Sequence, residues 1–152
     1  MKNKNFRLSI AKKNDSRYFY NLRNNISTRK MSFNKKKIKL SDHLKWFNHQ
    51  IKLRGFLWIF FLKAKKCGAV YLKKNKYLEI GYIVSPKQRG MGYSSIMLNL
   101  FIKKFKKYNK KKEPIFAKVF NNNLKSLRAL QSAGFIINKT KKNIKILKLK
   151  YV

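Results

Sequence analysis

The chain has 152 residues, 44% hydrophobic and 14% aromatic, which suits one domain, residues 1–152, with a buried core. Six Gly, two Pro and a lone Cys67 exclude a collagen-like repeat and a disulfide scaffold, and the apolar content excludes a disordered chain. The formal charge of +36, from 40 Lys+Arg against 4 Asp+Glu, points towards a polyanionic partner.

A plainer origin for the charge is available. Of the 40 cations 33 are Lys and 7 Arg, while Asn occurs 16 times and Ile 14 times. Lys, Asn and Ile all have A/T-rich codons, and Arg, whose planar fork reads bases and phosphates, is the scarce one. No specific nucleic-acid partner is therefore expected. The longest apolar run, residues 56–62, falls far short of the roughly 20 residues of a membrane helix. Residues 1–6 carry no apolar leader-like stretch. The expectation is an unexported, cytoplasmic protein with no membrane span. Two His and one Cys make a poor ligand set, and no metal is expected.

Taken in chain order, residues 6–11 alternate like a strand, and residues 16–25 follow as a helix. An irregular basic segment, 27–40, comes next. Ser41 reads as an N-cap with Asp42 in the first turn of a helix to residue 52, its core face marked by Leu44, Phe47 and Ile51. Three strands, 56–62, 68–72 and 77–84, are joined by turns short enough for an antiparallel meander. Leu98, Phe101, Ile102 and Phe105 then recur with helical spacing, so a helix spans 92–107. A strand at 115–120, a helix at 122–132 ending before Gly134, and strands at 135–139 and 144–151 complete the chain. The fold class is α/β: a mixed, mostly antiparallel sheet of about seven strands flanked by about four helices. The Lys- and aromatic-rich run 103–112 reads as a solvated helix end more than as a nucleic-acid groove.

The segment from Ile80 to Ser95 is strand, glycine-containing loop and helix start. Such a loop directs successive backbone N–H groups at an anion on the positive end of the helix dipole, and glycine permits close approach. It lacks the Gly-Lys-Ser/Thr of a Walker loop and the full G-x-G-x-x-G of a dinucleotide fold. Arg89-x-x-Gly92-x-Ser94 after Ile83-Val84-Ser85-Pro86, with Asn123-x-x-Ser126 and Gly134-Phe135 downstream, resembles the GNAT acyl-CoA N-acyltransferases along the whole chain.

The resemblance implies that acetyl-CoA is the co-substrate, its pyrophosphate held by Arg89, Gly90, Met91, Gly92, Tyr93 and Ser94. Ser94 stands where the family has Gly or Ala. It implies too that the strand ending at Val84 splays from its neighbour, so that main-chain groups of Ile83 and Val84 pair with the pantetheine arm and the Val84 N–H polarises the thioester. Asn123 and Ser126 would reach the coenzyme arm; the plain reading of Asn123 is a helix cap. Glu79 occupies a strand position where many members place the general base, and it can equally pair with a neighbouring lysine. The tyrosine that many members use to protonate the leaving thiolate is replaced by Leu130, which leaves Ser126, Tyr93 or water.

The N-terminal third resembles the branch that acetylates nucleotide-linked amino sugars, and also the ribosomal-protein N-terminal acetyltransferases. On that basis Arg23, His43 and Trp46 are the candidate acceptor-binding residues; His43 and Trp46, spaced i, i+3, share a helix face. The alternative for these two is a satisfied histidine and a core plug. The implied partner is a small-molecule amine, foremost a nucleotide sugar, with a peptide α-amine second; the oligomeric state is left open. A basic nucleic-acid-binding module on an inactive fold is the competing class.

Overall fold

The computed structural model describes residues 5–150. A seven-stranded sheet is ordered β1-β2-β3-β4-β5-β7-β6, from β1 (Phe6–Ile10), β2 (Leu57–Leu62), β3 (Lys65–Lys74), β4 (Leu78–Val84), β5 (Ile115–Phe120), β6 (Ile136–Lys141) and β7 (Ile144–Leu149). All neighbours pair antiparallel except β4 and β5. The helices are α1 (Ser16–Asn24), α2 (Ile26–Lys30), α3 (Leu40–Lys52), α4 (Tyr93–Phe105) and α5 (Leu124–Ser132).

Alternation along the strands gives the sheet two apolar faces, each covered by helices. On one, Met97, Leu98 and Phe101 of α4 and Leu130 of α5 pack on Phe60, Val70, Leu72, Ile80 and Val84. On the other, Phe19 and Leu22 of α1 and Phe47 of α3 pack on Leu57, Ile59 and Ala69. Each fully buried Phe or Leu contributes about 1.5–3 kcal/mol, so these faces dominate the stability.

Several boundaries differ from the sequence expectations. Segment 27–40 is not wholly irregular: Asn25 Oδ1 accepts from the Ser27 and Thr28 N–H groups and starts α2, making five helices. Helix α3 begins at Leu40 after an extended Lys39, so Ser41 lies inside its first turn and is not the cap. Its core face is His43, Phe47 and Gln50, with Leu44 41% exposed, because the buried side must face Phe19 and because Gln50 donates to the Phe56 and Leu72 carbonyls. Helix α4 ends at Phe105, short of residue 107, and β7 ends at Leu149; Tyr151 lies outside the described residues. In the run 103–112 Phe105 is buried and Tyr108 lies edge-on to Trp58 at 5.7 Å, so the aromatics serve the core, while the lysines are exposed, Lys104 donating to the Leu8 carbonyl.

One break in the sheet positions everything that follows. Strands β4 and β5 pair only at Leu78–Ile115 and Glu79–Phe116, and beyond Glu79 they diverge.

Candidate active site

The divergence opens a cleft of about 940 Å³, walled by β4, β5, α5, the start of α4 and the segment from the end of α1 to Ile38. At one end lies the glycine loop. After the Pro86–Gln88 3-10 turn, Gly90 (φ +79°) and Gly92 (φ +76°) take left-handed backbone conformations that L side chains avoid. A Cβ at either would meet no atom within 4 Å, so the backbone faces open space. Gly92 is the N-cap of the 13-residue α4 and offers no side-chain acceptor, so the positive end of the helix dipole adjoins that open space.

Gly90, Gly92, Tyr93 and Ser94 line the cleft, as do Ile83, Val84, Asn123 and Ser126. Met91 does not: it is 58% exposed and lies outside the lining. Tyr93 is buried, edge-on to Phe6 at 5.1 Å. Arg89 lines the cleft with its fork already engaged: Nε donates to the Val84 carbonyl (3.1 Å), Nη1 to Ser27 Oγ (2.7 Å) and Nη2 to Thr28 Oγ1 (2.7 Å). It therefore braces the loop against α2. Asn123 caps α5 by accepting from the Ser126 N–H (3.3 Å), and its Nδ2 makes no hydrogen bond among the described residues.

At the other end Glu79 pairs with Lys118 of β5 at 3.2 Å, both on the cleft wall. Burial pulls the Lys118 ammonium down, but the hydrogen bond and charge of Glu79 prevail and hold it above its ordinary value. The pair makes Glu79 both a cleft carboxylate and an ion-pair partner.

Of the three candidate acceptor residues, the structure places only Arg23 on the cleft. His43 is 1% exposed; its Nε2 lies 3.0 Å from the Ser16 carbonyl and its Nδ1 is buried without a partner. Burial lowers its pKa. Trp46 stacks on Phe19 at 5.2 Å and lies edge-on to Tyr71 at 5.8 Å, as a plug between α1 and α3. Phe19 of α1 thus covers the shared face of the two, burying His43 and leaving Trp46 half-buried.

Two tyrosines of the cleft went unread in the sequence. Tyr82 Oη lies 2.5 Å from Ser126 Oγ, and burial pushes its pKa up to about 12, against the effect of the hydrogen bond it shares with Ser126. Strand alternation, which sets Tyr82 on the same side as Ile80 and Val84, towards α5, is the signal that could have found it. Tyr71 packs over Gly81, where a Cβ would fall 2.2 Å from its ring. Leu130, at the family's tyrosine position, is buried in the core at 1% exposure. Among the described residues no cluster of His, Cys, Asp or Glu could hold a metal ion, and no helix is long and apolar enough to cross a membrane.

Comparisons agree with this geometry. The structure superposes on YncA of Salmonella typhimurium, described as an acetyltransferase with its cofactor acetyl-CoA, at TM-score 0.79, 17% identity, and 95% and 93% coverage of the two chains. It superposes on the spermidine N-acetyltransferase of Vibrio cholerae in complex with CoA and spermine at TM-score 0.78, 17% identity, and 96% and 94% coverage. For the aminoglycoside acetyltransferase AAC(6')-Ib in complex with coenzyme A the values are 0.76, 13%, and 95% and 94%. No curated protein matches the chain. The model of the acetyltransferase (GNAT) domain matches residues 6–136, and with that span of its 152 residues the chain belongs to the GNAT acetyltransferase family.

Proposed function

We propose that this protein transfers an acetyl group from acetyl-CoA to a primary amine, directly, with both substrates bound in the cleft. The observation that carries the reading is the splay of β4 from β5, which runs from the glycine loop at one end to Glu79 at the other. The residues fit the co-substrate: the open space over Gly90 and Gly92 at an uncapped helix start suits a pyrophosphate, and the edge of β4 at Ile83 and Val84, which β5 leaves unpaired, suits an amide-bearing arm. Acetyl-CoA supplies the activated acyl group. Ser94, Asn123 and Ser126 border its path, and Arg89 holds the loop in shape.

Attack requires a neutral amine, so Glu79 is assigned as the base, directly or through water, that takes the ammonium proton. The nitrogen, freed of that proton, attacks the thioester carbonyl; the C–S bond breaks and its electron pair leaves with sulfur, and the nitrogen's second proton passes to a serine hydroxyl as that hydroxyl gives its own to the thiolate, so the serine ends as it began. Ser126 is assigned that donation, with Tyr82 as its positioning residue: a tyrosine proton given to Ser126 Oγ turns the serine's own proton into the cleft. The finer acceptor reading, a nucleotide-linked amino sugar, keeps the support of Arg23 alone, since His43 and Trp46 do not line the cleft.

The test is release of free thiol from acetyl-CoA with a panel of amino-sugar nucleotides, peptides and polyamines, beside a thermal shift with acetyl-CoA. Stabilisation at millimolar ligand and turnover of at least one amine are expected. Neither effect at any amine would overturn the assignment.

A further inference from the structure

Arg23 is a guanidinium without an acid. It closes the last turn of α1 and lines the cleft, yet among the described residues it makes no hydrogen bond, and the three ion pairs formed there all belong to other cations. Its neighbours are aromatic faces: the guanidinium lies 4.6 Å from the centre of the Trp46 ring and 5.9 Å from that of Phe19. A cation held over a ring in this way leaves its N–H groups without an acceptor.

The surroundings are mostly cationic. Lys36 and Lys73 line the same cleft, and among the described residues its one carboxylate, Glu79, is paired with Lys118. Tyr71 links Arg23 to Glu79: its ring lies edge-on to Trp46, the ring under Arg23, at 5.8 Å and packs over Gly81, two residues along the same face of β4 from Glu79. Arg23, Tyr71 and Glu79 thus border one cleft. A polycationic amine of the spermine or aminoglycoside kind would set its further ammonium groups against Arg23, Lys36 and Lys73 with no free carboxylate to receive them.

We infer that the acceptor is a primary amine that also carries an anionic group, a carboxylate or a phosphate, seated on the fork of Arg23 while its nitrogen faces Glu79. This rests on the acetyl-transfer reading of the cleft and adds the class of its second substrate. Planar bidentate contact is what a guanidinium offers carboxylate and phosphate oxygens alike. The stack on Trp46 prepays the ordering of a long side chain, so little entropy is lost when the anion binds.

The test uses the full chain, saturating acetyl-CoA and matched amine pairs: glucosamine 6-phosphate against glucosamine, uridine-diphosphate-linked glucosamine against the same free sugar, and Ala-Asp-Phe against Ala-Asn-Phe, with spermine as the polycation. At least one anionic member is expected to exceed its neutral partner in kcat/KM by about 10- to 100-fold, as charge-assisted hydrogen bonds require, and that pair identifies carboxylate or phosphate. Arg23→Gln should reduce the preference to within about twofold, and Arg23→Lys, which keeps the charge and loses the fork, should retain part of it. The better anionic probe should also perturb Trp46 fluorescence, in a titration needing no turnover. Spermine or the neutral partners turning over as well as every anionic probe would overturn this inference and leave the acetyl-transfer reading standing. An unchanged preference in Arg23→Gln would overturn it too. Absence of thiol release with every amine, together with no thermal stabilisation by acetyl-CoA, would instead sink the underlying assignment.

Discussion

Arg89 of the glycine loop donates to Thr28 Oγ1 of α2 at 2.7 Å, and its other Nη to Ser27 Oγ at the same distance, so one side chain joins the loop to the helix that walls the same cleft. Partial burial lowers the Arg89 pKa without discharging it, but the side chain stands exposed, so water can take the place of a lost acceptor. Thr28→Val should therefore destabilise the fold by only about 0.5–1.5 kcal/mol, the net worth of one hydrogen bond, and also weaken acetyl-CoA binding. Chemical denaturation and calorimetric titration would check both; unchanged acetyl-CoA affinity would mean that the brace does not shape the loop.

Gly92→Val should abolish the thermal shift given by acetyl-CoA. The new side chain enters open space, where the anion is expected, and also takes on strain at φ +76°. Far-ultraviolet circular dichroism should stay close to wild type. Normal coenzyme binding by this variant would remove the loop from the site.

Glu79→Gln should lower kcat by about 10²- to 10⁴-fold while acetyl-CoA still binds, the range that a general base supplies. The glutamine also frees Lys118 from its 3.2 Å partner, so Lys118→Met serves as the control. If loss of the ion pair were the whole effect, the two variants would be equally impaired.

Tyr82→Phe and Ser126→Ala probe the donor to the leaving thiolate. Ser126→Ala should lower kcat by about 10²-fold or more, and Tyr82→Phe by less, because it only turns the serine hydroxyl. A pre-activated aryl thioester, whose leaving group needs no proton, should recover most of the rate in both. Recovery in neither would return the pair to a packing role.

His43 gives a pH dependence of stability. Burial and the Arg23 charge lower its pKa from the ordinary 6.5, with the Ser16 carbonyl opposing, so the unfolded chain binds the proton more readily than the folded one. The folded state then loses stability as pH falls below about 6.5 and is unaffected by this group above it. Urea midpoints should drop between pH 7.5 and 5.5, and His43→Gln should flatten that slope; equal slopes in the two proteins would place the dependence on other groups.

The candidate site was legible in the sequence, as residues that share one cleft, wherever they follow one another along the chain. The loop from Ser85 to Ser94 is one continuous stretch whose glycines state their own backbone requirement, and Glu79 stands five residues before the strand's end. Strand and helix periodicity likewise located nearly every element, because alternation and the 3.6-residue repeat are local properties. The acceptor side was not legible in that way. Whether His43 and Trp46 face a pocket or the core depends on where α1 lies, and Phe19 covers them both from a position 24 and 27 residues away in the chain. The pairing of Tyr82 with Ser126 and the brace from Arg89 to Thr28 join residues 44 and 61 positions apart. By itself the sequence determined the order of elements and the glycine loop, since these follow from neighbours along the chain. Which side chains reach the cleft was decided only by tertiary packing, since the two apolar faces of one sheet set how far each helix turns before its residues meet solvent or core.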